Sequence, residues 1–99
     1  MPTITLNKEV FERLVGKSLP LEELKDRISY LGTDLESIEG NEIVVEIFPN
    51  RPDLLSEQGL ARALSSFIGV NTGLKEYRAK KSIYRVKIES SVKKVRPYT

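Results

Sequence analysis

Two groups of side chains in this sequence have the types and spacing to do chemistry. The first is the run Pro49-Asn50-Arg51-Pro52-Asp53. Each proline fixes its own φ and drives the residue before it toward an extended shape, so the run predicts a stiff corner. Asn50 suits a left-handed residue or an Asx-turn there. Arg51, close to the start of a following helix, has two uses. It ties the corner by pairing with a nearby carboxylate, or it binds an anion or a partner subunit at the positive end of the helix. The second group is a basic run at the carboxy terminus. Residues 75–99 carry a net charge of +7, against −5 for residues 1–74. Lys80, Lys81, Arg85, Lys87, Lys93 and Lys94 cluster there with Glu89 as the one intervening acid. That arrangement suits contact with an RNA backbone without sequence readout. It equally suits the solvated face of a strand, or a segment that docks on the acidic body.

Much other chemistry is excluded by composition. The 99 residues include no histidine and no cysteine. The usual general base at neutral pH, the commonest metal ligand and the thiolate nucleophile are therefore missing. Gly69-x-x-x-Gly73 lacks the Lys and Ser/Thr that complete a phosphate-binding loop, and reads as a helix stop and a turn. The carboxylate pairs Glu22/Glu23, Glu39/Glu42 and Asp53/Glu57 read as caps or solvated faces, and no loop gathers ligands at calcium-site spacing. The expectation is no catalytic, cofactor-binding or metal-binding residue. The longest uncharged run, Ala63–Leu74, has 12 residues, well short of the roughly 20 a bilayer span needs. No secretory leader pattern opens the chain, so a cytoplasmic protein without membrane contact is expected. Lys and Glu supply 20 residues and Gln one, a bias that fits a heat-adapted source.

The elements that must position these groups follow from periodicity. Thr3–Leu6 alternates and predicts a strand. Asn7 reads as an N-cap, with Val10, Phe11, Leu14 and Val15 at helical spacing and Gly16 as a left-handed stop, giving a helix over 8–15. Pro20 opens a second helix whose stripe is Leu21, Leu24, Ile28 and Leu31, ended by Gly32. The short link between the two predicts that they pack together. Leu35–Ile38 and the β-branched run Ile43–Ile47 predict an antiparallel hairpin, the second strand central or buried on both faces. Asp53 or Ser56 can cap a third helix, Ser56–Ile68, with Leu60, Ala61, Leu64, Phe67 and Ile68 buried. Gly59, Ala63 and Ser66 form a small-residue strip beside that stripe, open to close approach. Ile83–Glu89 alternates again, Tyr84, Val86 and Ile88 against Arg85, Lys87 and Glu89, and predicts a half-buried or edge strand. The class expected is α+β, three helices packed on a small antiparallel sheet with a hairpin. The division expected is a structural domain over 1–74 and a basic connector with a strand over 75–99.

The segment Phe48–Gly69, with Asn-Arg-Pro-Asp at 50–53 and Gly-Leu-Ala-Arg at 59–62, resembles the amino-terminal domain of phenylalanine–tRNA ligase β subunits. Ile43–Ile47 and Leu31–Glu36 fit the same pattern, and Val92–Tyr98 is similar to the family's lead into an editing domain. Four residues join Ile38 to Ile43, which leaves no room for the tRNA-binding module that bacterial members insert near the hairpin. The resemblance is thus to the archaeal and eukaryotic-cytosolic type, truncated before the editing domain, the magnesium-binding module and the inactive catalytic-like core. It implies a parent enzyme that charges tRNA with phenylalanine using ATP and magnesium. It also implies an assembly of two α and two β subunits, with the active site on the α subunit. This segment would then be a scaffold for subunit contacts and placement of the editing domain, with Asn50, Arg51, Pro52, Asp53 and Arg62 as structural or partner-contact residues. The rival expectation is an RNA-binding module, winged-helix-like in outline, that touches tRNA through the basic tail. Against it, the third helix carries Arg62 as its one cation and opens with Glu57, whereas a recognition helix shows several basic or amide side chains.

Overall fold

The computed structural model describes residues 1–98. Its first strand, β1 (Thr3–Asn7), runs directly into helix α1 (Lys8–Val15). Asn7 makes that junction possible, because its side chain accepts from the backbone N–H groups of Glu9 and Val10. Those groups have no partner inside the helix. Gly16 closes α1 at φ 88° and donates to the Glu12 carbonyl. Pro20 then precedes helix α2 (Leu21–Tyr30), with Glu22 and Glu23 in its first turn. Strands β2 (Asp34–Glu39) and β3 (Glu42–Glu46) form the hairpin, and helix α3 (Glu57–Phe67) follows the corner.

The sheet order is β1-β3-β2, antiparallel throughout. β3 is central, and its Ile43 and Val45 are fully buried while Val44 is half-buried. β2 contains a bulge between Leu35 and Ser37. The extra residue lets Leu35 and Ile38, three apart, both pack against the core. Leu6 of β1, Phe11 and Val15 of α1, Leu24 and Ile28 of α2, Leu60, Ala61 and Leu64 of α3, and Leu19, Ile47 and Leu54 between these elements complete the core. The buried Thr33 hydroxyl donates to the Ile28 carbonyl at 2.7 Å, so the end of α2 leaves no orphan there. The α+β class with three helices on a small antiparallel sheet is the expected one.

Several expectations need correction. α1 packs chiefly on α3, and α2 lies along β2, so the two helices adjacent in sequence are not each other's main partners. A short link fixes chain continuity, but the apolar stripes decide which faces meet. Leu21 and Phe67 lie at the margins of their stripes and stay partly exposed, as do Val10 and Leu14. Asn50 uses no left-handed conformation, since no described residue other than glycine has positive φ.

The largest correction is in the tail. Residues 83–89 form no strand, and Ser90–Lys94 forms a short 3-10 turn instead. Tyr84, Val86 and Ile88 do not face a core. Alternation states which side chains share a face, but a strand also needs a neighbouring edge, and the chain brings none to this segment. The tail stretches the molecule to 52 × 31 × 23 Å with a radius of gyration of 17.0 Å. A compact domain of this length would have about 13 Å.

Candidate functional site

The corner between β3 and α3 is built from nested turns. The Arg51 N–H donates to the Phe48 carbonyl at 3.0 Å, and the Leu54 and Leu55 N–H groups donate back to Arg51 and Pro52. Pro52–Leu54 is a 3-10 turn with proline at its start, where a missing N–H costs nothing. Leu54 is fully buried and plugs the turn into the core. Ser56 caps α3, accepting from the Gly59 N–H at 3.0 Å. Glu57 reaches the other way, accepting the Asn7 N–H at 2.9 Å. The start of α3 is thereby tied to the junction of β1 and α1.

On this frame the Arg51 guanidinium grips Asp53 with two parallel bonds, Nε to Oδ1 at 3.0 Å and Nη2 to Oδ2 at 2.9 Å. Those hydrogen bonds hold the Asp53 carboxyl below its ordinary range and push the Arg51 guanidinium above its own. Asn50 and Pro52 are exposed at the turn. Gly59 faces the corner so closely that a Cβ there would lie 2.0 Å from the Asp53 carbonyl oxygen.

Beside the corner an open groove of about 1130 Å³ runs between α3 and residues 70–77. Gly59, Ala63 and Ser66, the small-residue strip, form part of its lining. Arg62 crosses it, donating from Nη1 to the Tyr77 hydroxyl at 3.0 Å. That bond lowers the Tyr77 pKa and raises that of Arg62. Lys75 places its ammonium 5.5 Å from the Tyr77 ring centroid. Arg51, Arg62 and Lys75 outnumber the one carboxylate in the lining, Asp53. The groove therefore offers positive charge and hydrogen-bond donors. In a chain without histidine or cysteine it offers no proton acceptor of the usual kind at neutral pH.

The tail cations stand apart from this groove. Lys80, Lys81, Arg85, Lys87, Lys93 and Lys94 are exposed, and Lys87 pairs with Glu89 at 2.9 Å. Among the described residues no ion pair joins these six to the acidic body. Some of the body's carboxylates are engaged within it: Glu22 binds Lys25, and Glu12 binds Lys8 and the Ser18 hydroxyl, which lowers the Glu12 pKa.

One cluster escaped sequence reasoning. Asp34, Glu36 and Glu46 each bring a carboxylate oxygen within 4.8 Å of the others. Asp34 faces Glu46 across the β2–β3 ladder, and the bulge turns Glu36 toward the same spot. Glu36 lies close enough to Glu46 to share a proton with it, which raises the Glu36 pKa, and the Met1 amine lies 3.6 Å from Glu46. Cross-strand register creates this cluster, and no local spacing announces it. Tyr77 was missed for a similar reason: its partner Arg62 is on another element.

The family described as "Phe-tRNA synthetase beta subunit B1 domain" matches residues 1–70. The phenylalanine–tRNA ligase β subunit of Archaeoglobus fulgidus is 45% identical over 97 residues, covering 98% of this chain and 17% of that protein. The β subunit of Methanopyrus kandleri is 41% identical over 100 residues, again 98% of this chain and 17% of its own length. The chain thus spans about a sixth of the length of these curated relatives. Among solved structures, the crystal structure of an N-terminal fragment of the phenylalanyl-tRNA synthetase β subunit from Pyrococcus horikoshii superposes with a TM-score of 0.76. It is 33% identical and is matched over 98% of this chain and 29% of that one.

Proposed function

Because the chain belongs to the family of phenylalanyl-tRNA synthetase β-subunit B1 domains, we propose that it is the amino-terminal, non-catalytic scaffold of a phenylalanine–tRNA ligase. In this reading the whole enzyme charges tRNA with phenylalanine in the cytoplasm, as two α and two β subunits with the active site on the α subunit. Residues 1–74 are the structural domain, and residues 75–99 connect it to an editing domain. The observation that supports the reading is a coincidence of boundaries. The family match ends at residue 70, where the packed body also ends, and the chain beyond it extends away. Arg51 and Asp53 serve as a clamp that fixes the angle between β3 and α3, and Arg62 ties the start of the connector to the body through Tyr77. Among the described residues no helix is long and apolar enough to cross a membrane.

ATP and magnesium belong to the parent reaction, and the side chains here do not fit them. Both Asp53 oxygens are taken by Arg51. In the carboxylate cluster on the sheet the Met1 amine lies 3.6 Å from Glu46, so a positive charge already faces one of the three groups. The pure chain should therefore show no phenylalanine-dependent ATP–pyrophosphate exchange and no deacylation of mischarged tRNA. Deleting residues 1–74 from the complete β subunit should lower recovery of the assembly with the α subunit on size exclusion. Turnover by the pure chain that a point substitution abolishes would overturn the scaffold reading, as would normal assembly and editing after the deletion. The exposed tail cations favour a second reading, a weak RNA-backbone contact by residues 75–99.

A further inference from the structure

We propose that residues 83–89 are a strand whose sheet lies elsewhere: a docking segment that pairs edge-on with a β-sheet in the remainder of the β subunit. The segment alternates Tyr84, Val86 and Ile88 with Arg85, Lys87 and Glu89. Ile83, Tyr84 and Val86 are 91%, 87% and 89% exposed, and Ile88 is 45% exposed. Four large apolar side chains within six residues are an unusual thing to leave in water on a settled surface. The backbone is nearly as bare, the Tyr84 N–H donating only to the nearby Ser82 hydroxyl at 3.1 Å. Among the described residues, 75–88 make no backbone–backbone hydrogen bond, although such groups seek partners wherever they are buried. Period-two alternation together with unpaired N–H and C=O groups is what strand addition requires. The ladder supplies affinity and the alternate side chains fill one face.

The body's own sheet is a poor host. β3 has both edges occupied by β1 and β2, the outer edge of β2 is interrupted by the bulge at Glu36, and residues 83–89 make no backbone bond to the outer edge of β1. Bulged edges resist a further strand. Arg62 holds Tyr77, six residues before Ile83, against the body, and every residue from 78 to 91 is exposed. The relatives are about six times as long as this chain, so most of a β subunit folds outside these residues and can present the edge. Arg85 and Lys87 would remain on the solvent side of the added strand, blunting it against further pairing.

This inference rests on the proposed place of the chain in a β subunit, and hydrogen exchange read by mass spectrometry tests it. The 99-residue chain and the complete β subunit with its α subunit are compared. Amides 84–88 should exchange freely in the chain alone and at least ~100-fold more slowly in the complete subunit. Val86→Asp in the complete subunit should restore fast exchange at 84–88, with exchange around Leu64 and binding of the α subunit unchanged. Fast exchange at 84–88 in the complete subunit would overturn the proposal. So would protection in the chain alone that grows with its concentration, which would indicate a second copy, or protection that needs added tRNA. Co-purification of the α subunit in the same samples reports the scaffold reading separately. Free exchange with intact assembly therefore sinks the docking segment alone.

Discussion

Gly59 and Glu36 show how much single positions carry in this domain. Gly59 sits one turn into α3, where alanine would ordinarily favour a helix by about 1 kcal/mol. Here a Cβ would meet the Asp53 carbonyl at 2.0 Å, and that oxygen belongs to the backbone of a doubly turned corner that cannot swing aside cheaply. Gly59→Ala should therefore lower stability by roughly 1–3 kcal/mol in urea or thermal melts. A rise in melting temperature would show that the close approach is not real. Glu36 tests the carboxylate cluster. Its pKa is raised, chiefly by the proton it can share with Glu46. The folded state thus binds its proton more tightly than the unfolded chain does. The resulting stabilisation is full below the ordinary carboxylate range and disappears as pH rises through the raised value. At neutral pH the ionised group is a liability beside Glu46 and Asp34. Glu36→Gln should raise the melting temperature at pH 7–8, and the gain should shrink toward zero below about pH 4. A lower melting temperature for the variant at pH 8 would contradict this.

Among the elements, α3 is the organiser. One face packs on α1 and β1, its start receives the corner, and Glu57 holds the N-cap residue of α1. Leu64 is fully buried at the middle of that face. Leu64→Ala should cost about 2–5 kcal/mol in a cooperative melt, through lost transfer energy and the cavity left behind. A melt close to wild type would mean that α3 does not anchor the core. The ends of α3 are set by local chemistry that can be read directly: Ser56 at one end and Gly69, at φ 78°, just beyond the other. The same holds for Asn7 and Gly16 around α1. The bulge in β2 was legible only in part. The three-residue spacing of Leu35 and Ile38 breaks simple alternation, and pairing with β3 shows how the break is accommodated.

At the scale of the whole molecule, charge separates as the chain does, an acidic packed body and a basic extended tail. If the tail touches RNA, phosphate contacts by Lys80, Lys81, Arg85, Lys87, Lys93 and Lys94 should bind phenylalanine-specific and unrelated tRNA equally and weakly. Binding should fall steeply between low and near-physiological salt, because released counterions drive it. Fluorescence anisotropy titrations at two salt concentrations check this. Tight, tRNA-selective binding that survives salt and disappears in Arg51→Ala or Arg62→Ala would show instead that the folded body reads RNA.

Much was legible in the sequence by itself. The caps, stops and stripes of three helices, the hairpin at Gly40-Asn41, the central third strand and the stiff corner all rest on interactions within a few residues, so local order specifies them. The family pattern at 50–53 and 59–62 is local in the same way. Tertiary structure alone decided which helix packs on which, because amphipathic stripes state that a face is buried and not against what. It alone brought Glu46 to Glu36, Arg62 to Tyr77 and Glu57 to Asn7, pairs separated by 10, 15 and 50 positions. It also decided the fate of residues 83–89. Their alternation is a local property and is plainly written, but a strand exists only where a second edge completes its hydrogen bonds, and within these residues none does.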